Sequence, residues 1–169
     1  MASEHIYKQY DSDLEAIRAK VLEMGTLVEE QTSNAIQSLL DTDVKLAEKV
    51  IKKDEQINDL EVLIDEEASL LIAKRSPAAG DLRNIMMMLK IITDLERMGD
   101  EAAKIARSTT RIFEDNRMSK SKFNEIKGMA KAVQEMIKTA LNSFARLDLT
   151  DTIDILEKDK QVDDDYRSC

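Results

Sequence analysis

One proline and four glycines in 169 residues leave little to interrupt a helix. Tryptophan is absent and aromatics are 4% of the chain, so a core must be filled by aliphatic side chains and by the nine methionines. The single cysteine, Cys169, is the last residue, which excludes an internal disulfide and fits a reducing cytoplasm. His5, the one histidine, is read as a solvated side chain near the N-terminus, and none remains for phosphotransfer. A Ser/His/Asp constellation and a Gly-rich phosphate loop are both missing, so the chain is not expected to be an enzyme. There is no sign of a signal peptide, and no stretch approaches the ~18 apolar residues of a membrane span.

What is present is helical. Ala, Leu, Ile, Met, Glu and Lys dominate, a composition that builds long helices rather than strands. The formal net charge of −9 argues against a nucleic-acid partner and suits metal cations or a basic protein surface.

Periodicity predicts five helices. Behind a loose leader at 1–10, the first runs from Asp11 to Leu40. Its stripe is Leu14, Ile17, Val21, Met24, Val28, Ala35 and Leu39, with a gap near Gln31 and Thr32. Asp41-Thr42-Asp43 breaks the pattern and can cap a second helix, Val44 to Lys74. The seam of that helix reads Ala47, Val50, Asp54, Ile57, Glu61, Ile64, Ala68 and Leu71, two carboxylates among eight positions. Ser76 can cap a third helix, with Pro77 at its first position and an end near Asp115. The stripe there runs Ile85, Leu89, Ile92, Glu96, Gly99, Ala103 and Ala106, which places a carboxylate on a buried seam. The Ser-Pro connector is tight, so helices two and three should be antiparallel neighbours. Asn116 to Ser121 is a polar break. A fourth helix follows from Lys122 to Leu147 with Phe123, Ile126, Ala130, Val133, Ile137, Ala140 and Phe144 on its stripe, and a fifth starts near Thr150 with Ile155, Asp159, Val162 and Tyr166.

At an offset of 105 residues the second half restates the first. Glu30 meets Glu135, Ser38 meets Ser143, Asp43 meets Asp148, Lys53 meets Lys158, Asp54 meets Asp159 and Gln56 meets Gln161. Polar identities of this kind do not follow from a shared apolar period. The expected organisation is a first three-helix repeat over 11–115 and a partial second repeat over 120–169, which holds one helix and the start of another. A fragment of a two-repeat protein, or a naturally truncated one, is the expectation.

Antiparallel packing of helices two and three brings Glu61 and Asp65 towards Glu96 and Asp100, each pair one turn apart on its helix. Carboxylates on adjacent seams repel strongly. They splay into water, pair with cations such as Arg75, Arg97 and Lys104, or bind metal. A site of oxygens alone suits hard ions such as Mg²⁺, Mn²⁺, Ca²⁺ or iron.

The run Pro77-x-Ala79-x-Asp81-Leu82-Arg83, followed by Asp94-Leu95-Glu96-Arg97-Met98-Gly99-Asp100, resembles the signature of the PhoU family, bacterial regulators of phosphate uptake signalling. The resemblance covers essentially the whole chain. It implies an all-α fold of antiparallel three-helix bundle repeats, with the second repeat incomplete here. Implied metal ligands are Glu61, Asp65, Glu96 and Asp100, with Asp54 and Asp94 secondary, for divalent or trivalent ions (Mg, Mn or Fe). Implied partners are the phosphate ABC transporter and the phosphate-sensing histidine kinase. The implied role is that of a cytoplasmic, non-enzymatic, homo-oligomeric negative regulator, without membrane insertion. Two rival readings are a plain helical interaction domain without metal and a carboxylate di-iron oxidoreductase. The latter would want Glu-x-x-His pairs, and no histidine follows position 5.

Overall fold

A computed structural model describes residues 2–114 and 123–168. They form five α-helices: α1 (Ala2–Asp41), α2 (Val44–Arg75), α3 (Ala79–Glu114), α4 (Phe123–Arg146) and α5 (Thr152–Ser168). No strand occurs among the described residues, as the composition predicts. The loose leader at 1–10 is corrected: α1 begins at Ala2 and runs through it. The polar break at Asn116 to Ser121 lies outside the described residues, as do the side chains of His5 and Cys169.

The chain divides into two compact units, Met1–Val28 with Glu55–Met98, and Glu29–Asp54 with Gly99–Cys169. They interleave in sequence. The 40-residue α1 contributes to both units.

In the first unit Ile17, Val21, Met24 and Val28 of α1 are buried with Ile57, Ile64, Ala68 and Leu71 of α2, the seams the spacing predicts. Antiparallel pairing shows in two ion pairs: Lys20 reaches Glu67 at 2.5 Å and Arg75 reaches Asp13 at 3.7 Å. In the second unit the core is a cluster of small residues, Ala35, Ala47, Val50, Ala102 and Ala106, with Ile51 and Ile105 against it. Gln31 fills the expected gap in the α1 stripe. It is buried, and its Nε2 donates to the Val50 carbonyl at 3.0 Å. Within that unit α4 also packs on α5.

The α3 seam differs from the expected one in a way that matters for the site. Buried positions run Ile85, Met88, Ile92, Leu95, Ala102, Ala103, Ala106 and Thr109. After Ile92 the helix takes a step of three, so Leu95 occupies the core position and Glu96 sits half-buried beside it. Glu96 is thus at the edge of the seam and escapes most of the cost of full burial.

The repeat is visible in backbone detail. The Asp43 N–H donates to the Ser38 carbonyl at 2.9 Å, and the Asp148 N–H to the Ser143 carbonyl at 3.0 Å. Between them Thr42 and Leu147 take positive φ, 56° and 52°. Each is the left-handed residue of a Schellman-type helix end, without the usual glycine. Glu30–Lys53 at 2.7 Å recurs as Glu135–Lys158 at 2.5 Å. In both, the lysine holds the glutamate pKa below its ordinary value, first through the hydrogen bond. The expected cap at Asp43 is present, its Oδ1 accepting from the Leu46 N–H at 3.0 Å.

Ser76 plays a different part from the one its type suggests. Its N–H donates to the Ile72 carbonyl at 3.1 Å and its φ is 46°, so it ends α2. The first turn of α3 is closed by the Leu82 N–H on the Ala78 carbonyl, which moves the helix start past Pro77. Because a β-carbon is strained in this left-handed conformation, Ser76→Gly should stabilise the protein by about 0.5–1 kcal/mol. The denaturation midpoint checks this; an unchanged or lowered midpoint would mean the serine hydroxyl compensates the strain.

Candidate metal centre

Burial and charge meet at Asp54. It follows Val50 by one turn of α2, and its Oδ1 is shielded from solvent with no hydrogen bond. An oxygen placed so is expensive to ionise. Burial pushes the Asp54 pKa above the usual aspartate value, and the Asp100 carboxylate adds to the effect. The Arg107 guanidinium opposes both without cancelling them. Asp54 on α2 and Asp100 and Arg107 on α3 all belong to the second unit. Two helices therefore present a carboxylate pair, with a guanidinium in the same field.

The other expected ligands lie in the first unit. Glu61 on α2 is half-buried, whereas Asp65, one turn on, is exposed. On α3, Glu96 is half-buried, and Asp94 is exposed and 4.0 Å from Arg97. Among the described residues no group of three or more Asp, Glu, His or Cys gathers closely enough to hold an ion. Asp54 and Asp100 lie within each other's electrostatic reach.

The cations named from sequence go mostly elsewhere. Lys104 pairs with Glu101 at 2.7 Å and Arg75 with Asp13 at 3.7 Å. The arginine that faces Asp54 is Arg107, which the sequence reading missed. A signal was there: Arg107 follows Asp100 by seven residues, two turns along the same helix face.

The donor chemistry at Asp54 and Asp100 fits a hard cation. Both groups are carboxylates, one oxygen is orphaned, and the raised pKa records burial first and the neighbouring Asp100 charge second. Bound there, an ion would supply the charge that Arg107 supplies only in part.

The PhoU domain, as a family, matches residues 21–109, more than half of the chain. The chain belongs to the PhoU family. It is 40% identical over 165 residues to the phosphate-specific transport system accessory protein PhoU homolog of Pseudomonas aeruginosa, covering 98% of this chain and 68% of that protein. Against the phosphate-specific transport system accessory protein PhoU of Escherichia coli the identity is 38% over 164 residues, covering 97% and 67%. The chain thus spans about two thirds of the length of these curated relatives. In three dimensions it resembles the crystal structure of PhoU from Pseudomonas aeruginosa, with a TM-score of 0.90 at 40% identity, covering 94% of this chain and 76% of that one. It also resembles the phosphate transport system regulatory protein PhoU from Streptococcus pneumoniae, with a TM-score of 0.85 at 30% identity, covering 94% and 74%. The all-helical bundle fold is that of PhoU. The names of these relatives describe accessory and regulatory proteins.

The Asp54 environment sets a pH dependence. Its folded pKa lies above its unfolded one, so the folded state retains a proton that the unfolded chain has released. Metal-free protein should therefore lose stability as pH rises from the ordinary aspartate pKa through the raised value, and the loss should persist above it. In chelator-treated protein Asp54→Asn should melt higher than the parent at neutral pH, with the difference vanishing below about pH 3. A lower Tm for the variant at neutral pH would show that Arg107 more than compensates the burial.

Proposed function

We propose that this PhoU-family chain is a regulatory accessory component of phosphate uptake that works by binding and carries out no turnover. The observation behind the reading is similarity over nearly the whole chain to relatives named for the phosphate transport system. Its partners in this reading are the phosphate ABC transporter and the sensor histidine kinase, met from the cytoplasmic side. No helix among the described residues is long and apolar enough to cross a membrane, so contact with a transporter runs through a surface. A regulator without turnover acts by preferring one state of its partner over another, and its effect is limited by that difference in affinity. The excess of acidic residues favours basic partner surfaces and makes association weaken with salt.

Complementation tests this reading. In a strain lacking its own family member, expression of the chain should lower a phosphate-starvation reporter in phosphate-rich medium. Folded, expressed protein that leaves the reporter unchanged would remove the regulatory assignment. Hydrolysis of nucleotide or phosphoester by the pure protein would remove the non-enzymatic one.

Metal is the second part of the proposal. Within the second unit, Asp54 and Asp100 are the nucleus of a site for Mg²⁺, Mn²⁺ or an iron ion; Glu61, Asp65, Glu96 and Asp94, within the first unit, are the ligands the family resemblance implies there. An ion that binds only the folded state stabilises by mass action, ~2.7 kcal/mol at a hundredfold excess over Kd. Chelation should lower the Tm of protein purified without chelator. Asp54→Asn with Asp100→Asn should abolish that sensitivity if the pair is the nucleus, whereas Glu61→Gln with Glu96→Gln should abolish it if the other set dominates. Should the parent purified without chelator hold no metal by elemental analysis, the plain helical interaction domain is the correct reading.

A further inference from the structure

Helices α1 and α2 enclose a cavity of about 320 Å³ in the first unit. That is the lower end of the range in which proteins hold small ligands, and it equals the space of about ten water molecules. Its walls come from 13–20 of α1 and 67–75 of α2, in a unit to which α1, α2 and α3 all contribute.

The depth of the cavity is apolar. Ile17 and Leu71 are buried there, whereas Ala16 and Leu70 are exposed at its rim, Leu70 by 51%. A leucine left half in water beside an open cavity is surface that a bound apolar group would cover.

Charge selects the ligand. Three basic and two acidic side chains line the cavity, in a chain whose net charge is −9. The two carboxylates are not held alike. Both oxygens of Glu67 accept from Lys20 Nζ at 2.5 Å, a charge-assisted pair complete in itself. Arg75 stands 3.7 Å from Asp13, beyond hydrogen-bond distance, so this carboxylate leaves its planar fork of donors unsatisfied. Lys74, next to it, makes no ion pair among the described residues. Two neighbouring cations at the end of α2 thus have donors for a further anion. A cationic ligand is disfavoured, because both carboxylates already face a basic group and Lys74 adds positive charge.

Basic residues in a last turn also complement the helix dipole. That role asks only for charge near the last carbonyls, not for an apolar cavity beside it. Nor does the repeat require the arrangement: at the 105-residue offset Asp13, Ile17 and Lys20 correspond to Met118, Lys122 and Glu125.

We propose that the α1–α2 cavity binds a small organic anion, with its carboxylate or phosphate on Lys74 and Arg75 and its apolar body against Ile17, Leu70 and Leu71. The site belongs to a different unit from Asp54 and Asp100, and it depends neither on the metal reading nor on the phosphate-regulatory one.

Amide NMR shifts of the isotopically labelled chain test it, with hexyl phosphate and hexanoate as probes. The expected result is saturable shifts at Ala16, Leu70, Leu71, Lys74 and Arg75, with a Kd of about 0.1–1 mM for at least one probe. The tighter of the two identifies the head group as phosphate or carboxylate. Inorganic phosphate and hexan-1-ol, which each carry half of the chemistry, should bind about tenfold more weakly or worse. Lys74→Gln with Arg75→Gln should weaken the better probe about tenfold. Lys74→Gln alone, which breaks no ion pair, should weaken it several-fold at an unchanged Tm. An affinity that neither variant moves, or hexylammonium binding as tightly as the anions, would overturn the proposal. So would shifts spread equally to the exposed Leu149 and Leu156, or none at the cavity with either probe at about 10 mM.

Discussion

Close approach of helices at the small-residue cluster is the constraint on which the site depends. Ala35, Ala47, Val50, Ala102 and Ala106 have little side chain to hold backbones apart, and all five are buried. Asp54 lies one turn beyond Val50, and Asp100 two residues before Ala102. Backbones held that close bring the two carboxylates into each other's field and shield Asp54 Oδ1 from water. Larger residues at Ala102 or Ala106 would separate the helices, and repulsion between the carboxylates would relax with the separation.

The two copies of the repeat show which features a sequence keeps without the full bundle. Helix ends are local, and both copies make the same one, from Ser38 to Asp43 and from Ser143 to Asp148. The Glu–Lys bridge between successive helices also recurs, because it needs only the hairpin. Burial recurs in part: Ser38 and Ser143 are both buried, as are Thr32 and Ile137, whereas other positions differ. Val50 is buried while its counterpart Ile155 is half-buried, and Asp54 is half-buried while Asp159 is exposed. In the first copy a third helix lies over the hairpin, and there Asp54 resists ionisation.

In the proposed metal-binding reading, this would tie the ion to the packing of the helices. A carboxylate pair strained by burial is relieved either by protonation or by a cation, and both act on the packing between α2 and α3. A binding protein without turnover needs such an element, since only a difference between two of its own states can be passed to a partner.

The sequence by itself determined the five helices, their order, the antiparallel hairpins, the 105-residue repeat and the Asp43 cap. These follow from spacing, turn chemistry and polar identity, all of them local in the chain. Seam spacing also marked Asp54, Glu61 and Glu96, with Asp65 and Asp100 one turn on, whereas Asp94 came from the family resemblance alone. Tertiary structure alone decided which of them matter to one another. On α3 the choice between Leu95 and Glu96 turned on a step of three instead of four, and both steps fit an α-helix equally well. Ser76 ends a helix instead of starting one because the chain must turn there with positive φ, and a serine suits either role. Asp54 was separated from Glu61 by an alanine cluster and by Arg107 on another helix. Their common period on α2 holds no record of what packs against it, and electrostatic energy depends on distance through space and on exclusion of water, neither of which a single helix specifies.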